Sequence, residues 1–198
     1  FERFQAALAE DKAGRSKTVT KEIEFFIDRK NYASVILDGF ADGSIPLRVT
    51  HNDTKLNNIL FDKDTKKPVC LIDLDTVMPG SVLYDYSDAI RICASTSAED
   101  EKDISKVNFS LDCFKTFTEG FLASSELNSR EKELLRFSAR LMLFETGIRF
   151  LTDYLEGDVY FKTTYPEHNL VRARNHIKLI EDIESHEDEI QNIIDSLL

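Results

Sequence analysis

The segment Thr50–Asp75 constrains the fold of this chain more than any other part of its sequence. It contains two short apolar runs, Asn58–Phe61 and Val69–Leu74, separated by the turn-forming letters D-K-D-T-K-K-P. Apolar runs of this length around a turn rich in Asp, Lys and Pro are typical of a β-hairpin. We therefore predict a hairpin with polar residues at the outer end of each strand.

Several polar side chains lie at the outer ends of this predicted hairpin. His51, Asp53 and Asn58 precede or open the first strand, and Asp73 and Asp75 close the second. Because a hairpin brings its outer ends together, we expect these side chains to crowd one small volume. Carboxylates in such a cluster repel one another and lose hydration unless a cation or a proton compensates. The segment therefore predicts a functional site in which a cation or a proton compensates the carboxylates.

The same segment resembles the phosphotransferases of the protein-kinase-like fold. From His51 it carries the spacing H-x-D-x-x-x-x-N, with Asp73 fifteen residues after Asn58, and it is followed by G-S-V-L-Y-D-Y-S-D at Gly80–Asp88. The combination is similar to the aminoglycoside phosphotransferase and choline kinase-like superfamily. Within it, H-N-D-T-K-L-N-N, I-D-L-D-T-V-M-P-G and Y-D-Y-S-D-A-I-R are most similar to the N-acetylhexosamine 1-kinases.

The resemblance implies a division of roles in phosphoryl transfer. Asp53 would orient the acceptor hydroxyl or take its proton, and Asn58 and Asp73 would hold Mg²⁺ against the phosphates of ATP. Lys55 would neutralise charge on the transferring phosphoryl group, or else point into solvent. His51 would act with these residues as a structural histidine that bonds backbone near the loop.

Three further acids lie in or near this segment. Asp75 either completes the shell of a second metal ion or caps a turn. Asp85 resembles the third Asp of the superfamily, which supports the catalytic loop without taking part in the chemistry. Asp88 lies one turn before Arg91 on the following helix, so the two form either a surface ion pair or a substrate contact.

The resemblance places the acceptor against the long helix and the loop that follows it. Arg149 and Tyr160 look like the substrate-contacting Arg and Tyr of the family, and His168, Asn169 and Arg172 could line the same cleft. For each of these residues a structural salt bridge or a position at the rim is the alternative.

Composition excludes several other classes of function. The formal net charge of −11 argues against nucleic acid as a partner, because phosphate backbones require a basic surface. No apolar run approaches the roughly 20 residues of a membrane span, and the start, F-E-R-F-Q-A-A-L, lacks the features of a signal peptide. Three cysteines without C-x-x-C spacing indicate free thiols, so a cytoplasmic location is expected.

We predict a mostly helical α+β fold over residues 1–198, the C-terminal lobe of a kinase-like phosphotransferase. None of the seven glycines falls in a G-x-G-x-x-G or G-x-x-x-x-G-K pattern. We therefore expect that an N-terminal lobe that covers the nucleotide is absent from this sequence. We also expect that this lobe belongs to the same polypeptide and is the partner of the C-terminal lobe. The isolated chain should bind nucleotide weakly and turn over poorly.

The predicted helices cover most of the remaining chain. A helix over Asn31–Leu37 should stop at Asp38-Gly39, and Val77–Val82 should be an irregular loop because it contains Pro and Gly. Helices are predicted over Asp85–Ala94 and Ile104–Leu122, joined by a mobile acidic loop, Ser95–Asp103. N-S-R-E at 128–131 is a capping-box pattern, and the longest helix should follow it.

Three classes of function remain for comparison. The first is a kinase that phosphorylates a small-molecule hydroxyl, in particular the anomeric hydroxyl of an N-acetylhexosamine, with choline or an aminoglycoside as the alternative acceptor. The second is a non-catalytic scaffold, which the presence of Asp53, Asn58 and Asp73 disfavours. The third is a sulfatase, which is disfavoured because none of Cys70, Cys93 and Cys113 lies in a C-x-P-x-R context.

Overall fold

The computed structural model describes residues 1–198 and is organised around one long helix, Leu135–Glu156. Sixteen of its 22 residues are buried, because neighbouring helices cover it on more than one side. Its apolar positions therefore extend beyond the single stripe of a surface helix. The helix ends at Gly157, whose φ of 99° is a backbone conformation that glycine adopts without strain.

Nine α-helices and four short strands make up the regular structure. In chain order the helices are α1 (Glu2–Glu10), α2 (Thr20–Asp28), α3 (Val35–Ala41), α4 (Val82–Cys93), α5 (Leu111–Ser124), α6 (Ser129–Glu133), α7 (Leu135–Glu156), α8 (His168–Ser185) and α9 (Glu187–Leu197). The strands are β1 (Arg48–Thr50), β2 (Ile59–Phe61), β3 (Pro68–Leu71) and β4 (Met78–Gly80). The prediction of a mostly helical fold with a small β-hairpin is confirmed.

The strands form two separate antiparallel pairs. β2 pairs with β3 as the predicted hairpin, and β1 pairs with β4. The hairpin strands are shorter than predicted: Asn58 ends a 3₁₀ turn that precedes β2, and Asp73 has a φ of 64° that takes the chain out of β3. Neither residue lies within a strand, so the alternation of side chains along a strand does not determine the direction of either side chain.

Two of the loop and helix predictions were wrong. The segment Val77–Val82 is not an irregular loop, because Met78–Gly80 pairs with Arg48–Thr50 as β4. Asp38-Gly39 does not end a helix, since α3 continues to Ala41. A Cβ atom at Gly39 would lie 2.4 Å from Ile45 Cδ1, so this glycine lets Ile45 pack against the helix.

The helices that flank the predicted acidic loop also begin elsewhere than predicted. α4 starts at Val82, where the Ser81 hydroxyl accepts the backbone N–H of Leu83 at 3.2 Å. The predicted helix Ile104–Leu122 is divided into a 3₁₀ turn, Ile104–Lys106, and α5. Ser110 caps α5, because its hydroxyl accepts the backbone N–H of Cys113. Serine is favoured at the N-cap of a helix and not in its interior, so α5 begins after Ser110.

The capping box before the long helix is confirmed, although the helix that it opens is short. Asn128 Oδ1 accepts the backbone N–H of Glu131, and the Glu131 carboxylate accepts that of Asn128, each at 2.8 Å. α6 ends at Glu133, and α7 begins two residues later. The buried Glu131 carboxylate also binds the guanidinium of Arg48 at 2.8 Å, which attaches β1 to the start of the helical core.

The core lies between α7 and the helices packed on it, chiefly α4 and α8, with α1 and α2 closing one side. The hairpin and β1–β4 pair lie at the edge of this core, and many of their apolar side chains are exposed. No helix is long and apolar enough to cross a membrane.

Candidate active site

The loop between β1 and β2 carries a carboxylate bonded to two neighbouring side chains. Asp53 Oδ2 accepts a hydrogen bond from Lys55 Nζ at 2.7 Å and another from Asn58 Nδ2 at 2.8 Å. Asn58 Nδ2 also donates to the Asp53 carbonyl at 2.9 Å. The proximity of Asp53 and Asn58 that the hairpin pattern predicts is therefore present, and Lys55 joins it.

These contacts favour the ionised form of Asp53. Partial burial raises the pKa of the Asp53 carboxyl, but the hydrogen bonds from Lys55 and Asn58 outweigh burial and leave the pKa below its usual value. The hydrogen bond to Asp53 raises the pKa of the Lys55 ammonium more than burial lowers it. The pair is thus a carboxylate and an ammonium at neutral pH.

Asp85, at the first turn of α4, holds the start of this loop. Its two carboxylate oxygens accept the backbone N–H groups of His51 at 2.8 Å and Asn52 at 2.7 Å. The Thr54 hydroxyl donates to the Asp85 carbonyl at 2.7 Å. Asn52 has a φ of 61°, so the carboxylate fixes the loop at a residue in a sparsely populated conformation.

His51 connects the loop to the chain that follows the hairpin. Its Nε2 lies 3.1 Å from the Ile72 carbonyl, and its own carbonyl accepts the Thr76 hydroxyl at 2.6 Å. A carbonyl partner places the ring proton on Nε2. The side chain is buried and bonded to backbone, which is the arrangement of a structural histidine.

The predicted metal ligands follow this histidine in the chain. Asn58 is buried and uses its amide nitrogen for Asp53, which leaves its oxygen for another partner. Asp73 and Asp75 are exposed on the segment after β3 and make no side-chain hydrogen bond. The negative charge of Asp73 contributes to the raised pKa of Lys55. No three His, Cys, Asp or Glu side chains are grouped to hold a metal by themselves.

A cleft of about 510 Å³ opens beside Asp53 and Lys55, between the loop, α4, α7 and α8. Its lining is rich in charged side chains, with five cations (Lys55, Arg91, Arg149, Lys162, Arg172) and three carboxylates (Asp53, Asp88, Glu99). The cations exceed the carboxylates by two, although the chain as a whole carries a formal net charge of −11. This cleft is consequently a place where anionic groups are attracted to an otherwise acidic protein.

The match to a known family falls on the same part of the chain. The model of the phosphotransferase enzyme family APH matches residues 7–108. The chain belongs to this phosphotransferase family. The matched residues include the loop, the hairpin and α4, and therefore Asp53, Asn58, Asp73 and Asp85. The part of the cleft formed by α7 and α8 lies beyond the match.

Two of the five predicted acceptor residues line the cleft of this phosphotransferase-family chain. Arg149 on α7 and Arg172 on α8 both reach it. Tyr160 instead lines an adjacent, smaller pocket of about 160 Å³, which shares Arg149 and Phe161 with the cleft. The Arg149 guanidinium lies 5.9 Å from the centre of the Tyr160 ring, which connects the two spaces.

His168 and Asn169 do not line the cleft. His168 Nε2 lies 3.1 Å from Asp100, and its ring stacks on Tyr165 with 4.3 Å between centroids. Asn169 Nδ2 donates to Asp153 at 2.8 Å and to Asp158 at 2.9 Å. Both side chains are buried and occupied by protein partners, so the structure places them beneath the site and not on its surface.

The loop after α7 is organised by a residue that sequence reasoning missed. The buried carboxylate of Asp153 accepts the backbone N–H groups of Val159, Tyr160 and Phe161 at 2.8–3.0 Å. This arrangement fixes the two aromatic residues beside Arg149. The D-Y-L-E-G-D sequence at 153–158 offered a signal, because Asp commonly accepts backbone N–H groups at the ends of helices and in turns.

The acidic connector Ser95–Asp103 is also attached to the site at three consecutive residues. Glu99 pairs with Arg91 at 2.6 Å, Asp100 bonds His168, and the Glu101 carbonyl accepts Asn175 Nδ2 at 2.8 Å. The segment was predicted to be a mobile loop because it is polar and acidic. Two of its carboxylates and one of its backbone carbonyls contact side chains on α4 and α8.

The Arg91 side chain is largely buried and forms two ion pairs, in contrast to the single exposed pair that was one of its predicted roles. Its guanidinium binds Asp88 at 2.8 Å and Glu99 at 2.6 Å, and only 10% of its side chain is exposed. Asp88, Arg91 and Glu99 all line the cleft. The helical spacing indicated the pairing of Asp88 with Arg91, but it gave no signal for Glu99.

Proposed function

We propose that this protein transfers the γ-phosphoryl group of ATP to a hydroxyl of a small molecule. The observation that carries the proposal is Asp53: its carboxylate is held in the ionised form by Lys55 and Asn58 at the edge of a cation-rich cleft. Membership of the phosphotransferase family gives the reaction class.

In this mechanism Asp53 accepts a hydrogen bond from the acceptor hydroxyl and takes its proton as the new O–P bond forms and the bond to ADP breaks. Lys55 lies beside the developing charge and stabilises it. Asp85 contributes indirectly, since it keeps the loop in the conformation that presents Asp53. His51 has the same kind of positioning role.

The oxygens of Asn58 and Asp73 fit Mg²⁺, with Asp75 as a further carboxylate within the same segment. Mg²⁺ prefers hard oxygen ligands and is commonly bound by one or two protein groups together with substrate phosphates. A bound Mg²⁺ would neutralise charge on the ATP phosphates. The lack of a complete protein cage is consistent with such a shared site.

The charge of the cleft favours an uncharged acceptor over a cationic one. Arg149 and Arg172 line it together with Lys162, and these side chains would repel choline or an aminoglycoside. A sugar offers hydroxyls to such groups without a charge penalty, and aromatic rings such as Tyr160 and Phe161 can stack on a pyranose face. These features favour a neutral sugar, and together with the sequence resemblance they lead us to propose the anomeric hydroxyl of an N-acetylhexosamine, with choline or an aminoglycoside as the alternative.

The exposed apolar side chains around the two strand pairs support a further partner. Val49, Val69 and Leu74 are 83%, 68% and 59% exposed, and other apolar residues of the hairpin are about half exposed. Large apolar side chains exposed in such number within one part of the chain favour a surface that another element covers. We propose that a nucleotide-covering lobe of the same polypeptide packs against this face and encloses ATP over the catalytic loop.

Transfer of ³²P from [γ-³²P]ATP by the complete gene product tests the proposed function. We expect labelling of N-acetylglucosamine or N-acetylgalactosamine, little labelling of choline or kanamycin, and a large loss in Asp53→Asn. Asp38→Asn, an exposed helical acid outside the cleft, is the matched control. Full activity of Asp53→Asn would remove the proposed base, and failure to label any acceptor would favour a binding scaffold.

A further inference from the structure

A second cavity, of about 170 Å³, lies behind the Arg91–Glu99 ion pair. It is enclosed by the end of α4, the connector after it, and α8. Arg91, Ile92 and Glu99 line this cavity and also line the cleft that contains Asp53. The two spaces therefore share one wall, and the ion pair forms part of it.

Two buried hydrogen-bond acceptors in this cavity have no partner. His176 and Asn175 line it, are each 2% exposed, and leave His176 Nε2 and Asn175 Oδ1 without a hydrogen bond. Buried polar atoms are nearly always paired in proteins, because an unpaired one has lost its water without compensation. Their presence in one cavity indicates a ligand or water that donates hydrogen bonds.

The protonation state of His176 follows from its other nitrogen. Nδ1 lies 2.9 Å from the Arg172 carbonyl, which accepts, so the ring proton is on Nδ1 and Nε2 carries a lone pair. Burial lowers the pKa of His176 to about 3, with the positive charge of Arg91 acting in the same direction. The ring is therefore neutral, and Nε2 is an acceptor.

The other polar groups of the lining are acceptors or already bonded. Asn175 Nδ2 donates to the carbonyls of Glu101 and Val171, which fixes the amide and leaves Oδ1 over. The Ser95 and Ser97 hydroxyls donate to backbone carbonyls within the connector. The cavity thus lacks a free donor from any of these side chains and is matched to a group that supplies one.

On the cleft side of the wall the requirement is the opposite. Arg172 Nε is buried without a hydrogen-bond partner, and it lies 3.9 Å from the nearest Glu99 oxygen. A group that reaches from the cleft into the cavity would meet a donor first and two acceptors beyond it. The Glu99 side chain is 35% exposed, so it can rotate without disturbing the core.

We propose that this cavity is an extension of the acceptor site and receives an uncharged substituent that donates hydrogen bonds, either a hydroxyl or an amide N–H. The inference rests on the proposed small-molecule kinase function and specifies which part of the acceptor is recognised. His176 and Asn175 are the recognition residues, and the Arg91–Glu99 pair borders the passage. A cationic substituent is disfavoured because two cations, Arg91 and Arg172, lie within 4 Å of Glu99 at the passage.

The nitrogen resonances of the histidines provide a direct test, since the chain contains only four histidines. The ¹⁵N-histidine-labelled chain is titrated with N-acetylglucosamine, glucose and choline. A hydrogen bond to Nε2 moves its resonance upfield, so we expect N-acetylglucosamine to move that of His176 and choline to leave it unchanged. A response to glucose as well would identify a hydroxyl as the donor, and its absence would identify the amide.

Other outcomes overturn the inference and separate it from the proposed function. If a sugar moves the backbone amide resonances of cleft residues such as Arg149 in a uniformly ¹⁵N-labelled chain but leaves His176 Nε2 unchanged, the cavity is not part of the acceptor site, and the proposed function stands. If the shift of His176 Nε2 already indicates a hydrogen bond in the free protein and no probe changes it, the cavity holds a structural water and is not part of the acceptor site. If no sugar perturbs the cleft at all, the proposed acceptor and this extension both fail.

A pair of variants gives a kinetic version of the test in the complete gene product. His176→Phe keeps a ring that can pack edge-on against Phe150 but removes both nitrogens. We expect KM for the sugar to rise about tenfold with KM for ATP unchanged, as for the loss of a buried hydrogen bond. His186→Phe, at the far end of α8, is the matched control. Equal sugar KM values in the two variants would contradict the proposal.

Discussion

Asp85 accepts the backbone N–H of Asn52 at 2.7 Å, where the Asn52 φ is 61°. The same carboxylate accepts the N–H of His51, so both of its oxygens are used. A left-handed conformation at a non-glycine residue is unfavourable unless its surroundings enforce it. The loop that presents Asp53 therefore depends on one carboxylate from a different element, at the start of α4.

Replacement of Asp85 by Asn should loosen this loop. Only one oxygen remains to accept, and the new amide group would face a backbone N–H, so we expect about 2 kcal/mol lower stability. Hydrogen exchange of the His51 and Asn52 amides should accelerate by about tenfold or more, while exchange in α7 changes less. Asp38→Asn is the matched control on an exposed helix. Unchanged protection of the two amides would show that the loop holds its conformation without Asp85.

Lys55→Met should move the acid limb of the pH–rate profile to higher pH. Lys55 helps to keep the pKa of Asp53 below its usual value, so its removal raises that pKa, and a base that must be ionised is lost at a higher pH. We also expect kcat/KM to fall about 100-fold because a stabilising charge is lost.

Lys162→Met is the control for the Lys55 prediction. Lys162 lines the same cleft, and its side chain forms no ion pair, so its removal changes the charge of the cleft without touching Asp53. The acid limb should then stay in place. Carbon NMR titration of the Asp53 carboxyl checks the same shift without turnover, and an unchanged titration in Lys55→Met would contradict it.

Local sequence patterns predicted the parts of the structure that depend on neighbours along the chain. The hairpin follows from two apolar runs around a turn, and the capping box at Asn128 follows from a four-residue pattern. The contact of Asp53 with Asn58 belongs to the same class, since five residues of loop bring the two side chains together. Such features need little information from the rest of the fold.

Features that depend on distant segments were missed for the corresponding reason. β4 reads as a Pro- and Gly-containing loop, and it becomes a strand only because Arg48–Thr50 lies beside it. The pairing of Glu99 with Arg91 and Arg172 depends on the contacts of the connector after α4 with α8, which no local spacing reports. The contact of Asp53 with Asn58 could thus be predicted from sequence, whereas most of the cleft could not.

Gly147→Ala should destabilise the protein by about 1–3 kcal/mol through overpacking. A Cβ atom at Gly147 would lie 2.9 Å from His176 Cβ and 3.0 Å from Phe26 Cζ, so α7 and α8 would have to separate. Gly120→Ala is a matched control, since nothing lies within 4 Å of its Cβ position. Within α5, that change should stabilise by about 0.5–1 kcal/mol. Urea unfolding measures both, and equal midpoints would contradict the prediction.

His176 should make folding sensitive to acid. Its pKa is about 3 in the folded protein, because it is buried and faces Arg91 and Arg172, and 6.5 is the ordinary value for an unfolded chain. Between these values the unfolded chain binds one proton more than the folded one. The free energy of unfolding therefore has its full value above pH 6.5 and falls as the pH decreases, by up to about 1.4 kcal/mol per pH unit.

His176→Phe removes this linkage, so we expect its free energy of unfolding to depend less on pH between about 6.5 and 3 than that of the wild type. Urea unfolding at a series of pH values gives the difference between the two proteins, in which the titrations of the carboxylates cancel. The free energy of unfolding of the wild type minus that of the variant should decrease as the pH falls, whatever its value at pH 7. His186→Phe accounts for the general effect of replacing a histidine, since His186 directly follows α8. Parallel curves for the wild type and His176→Phe would mean that the imidazole gains a proton in the folded protein as readily as in the unfolded chain.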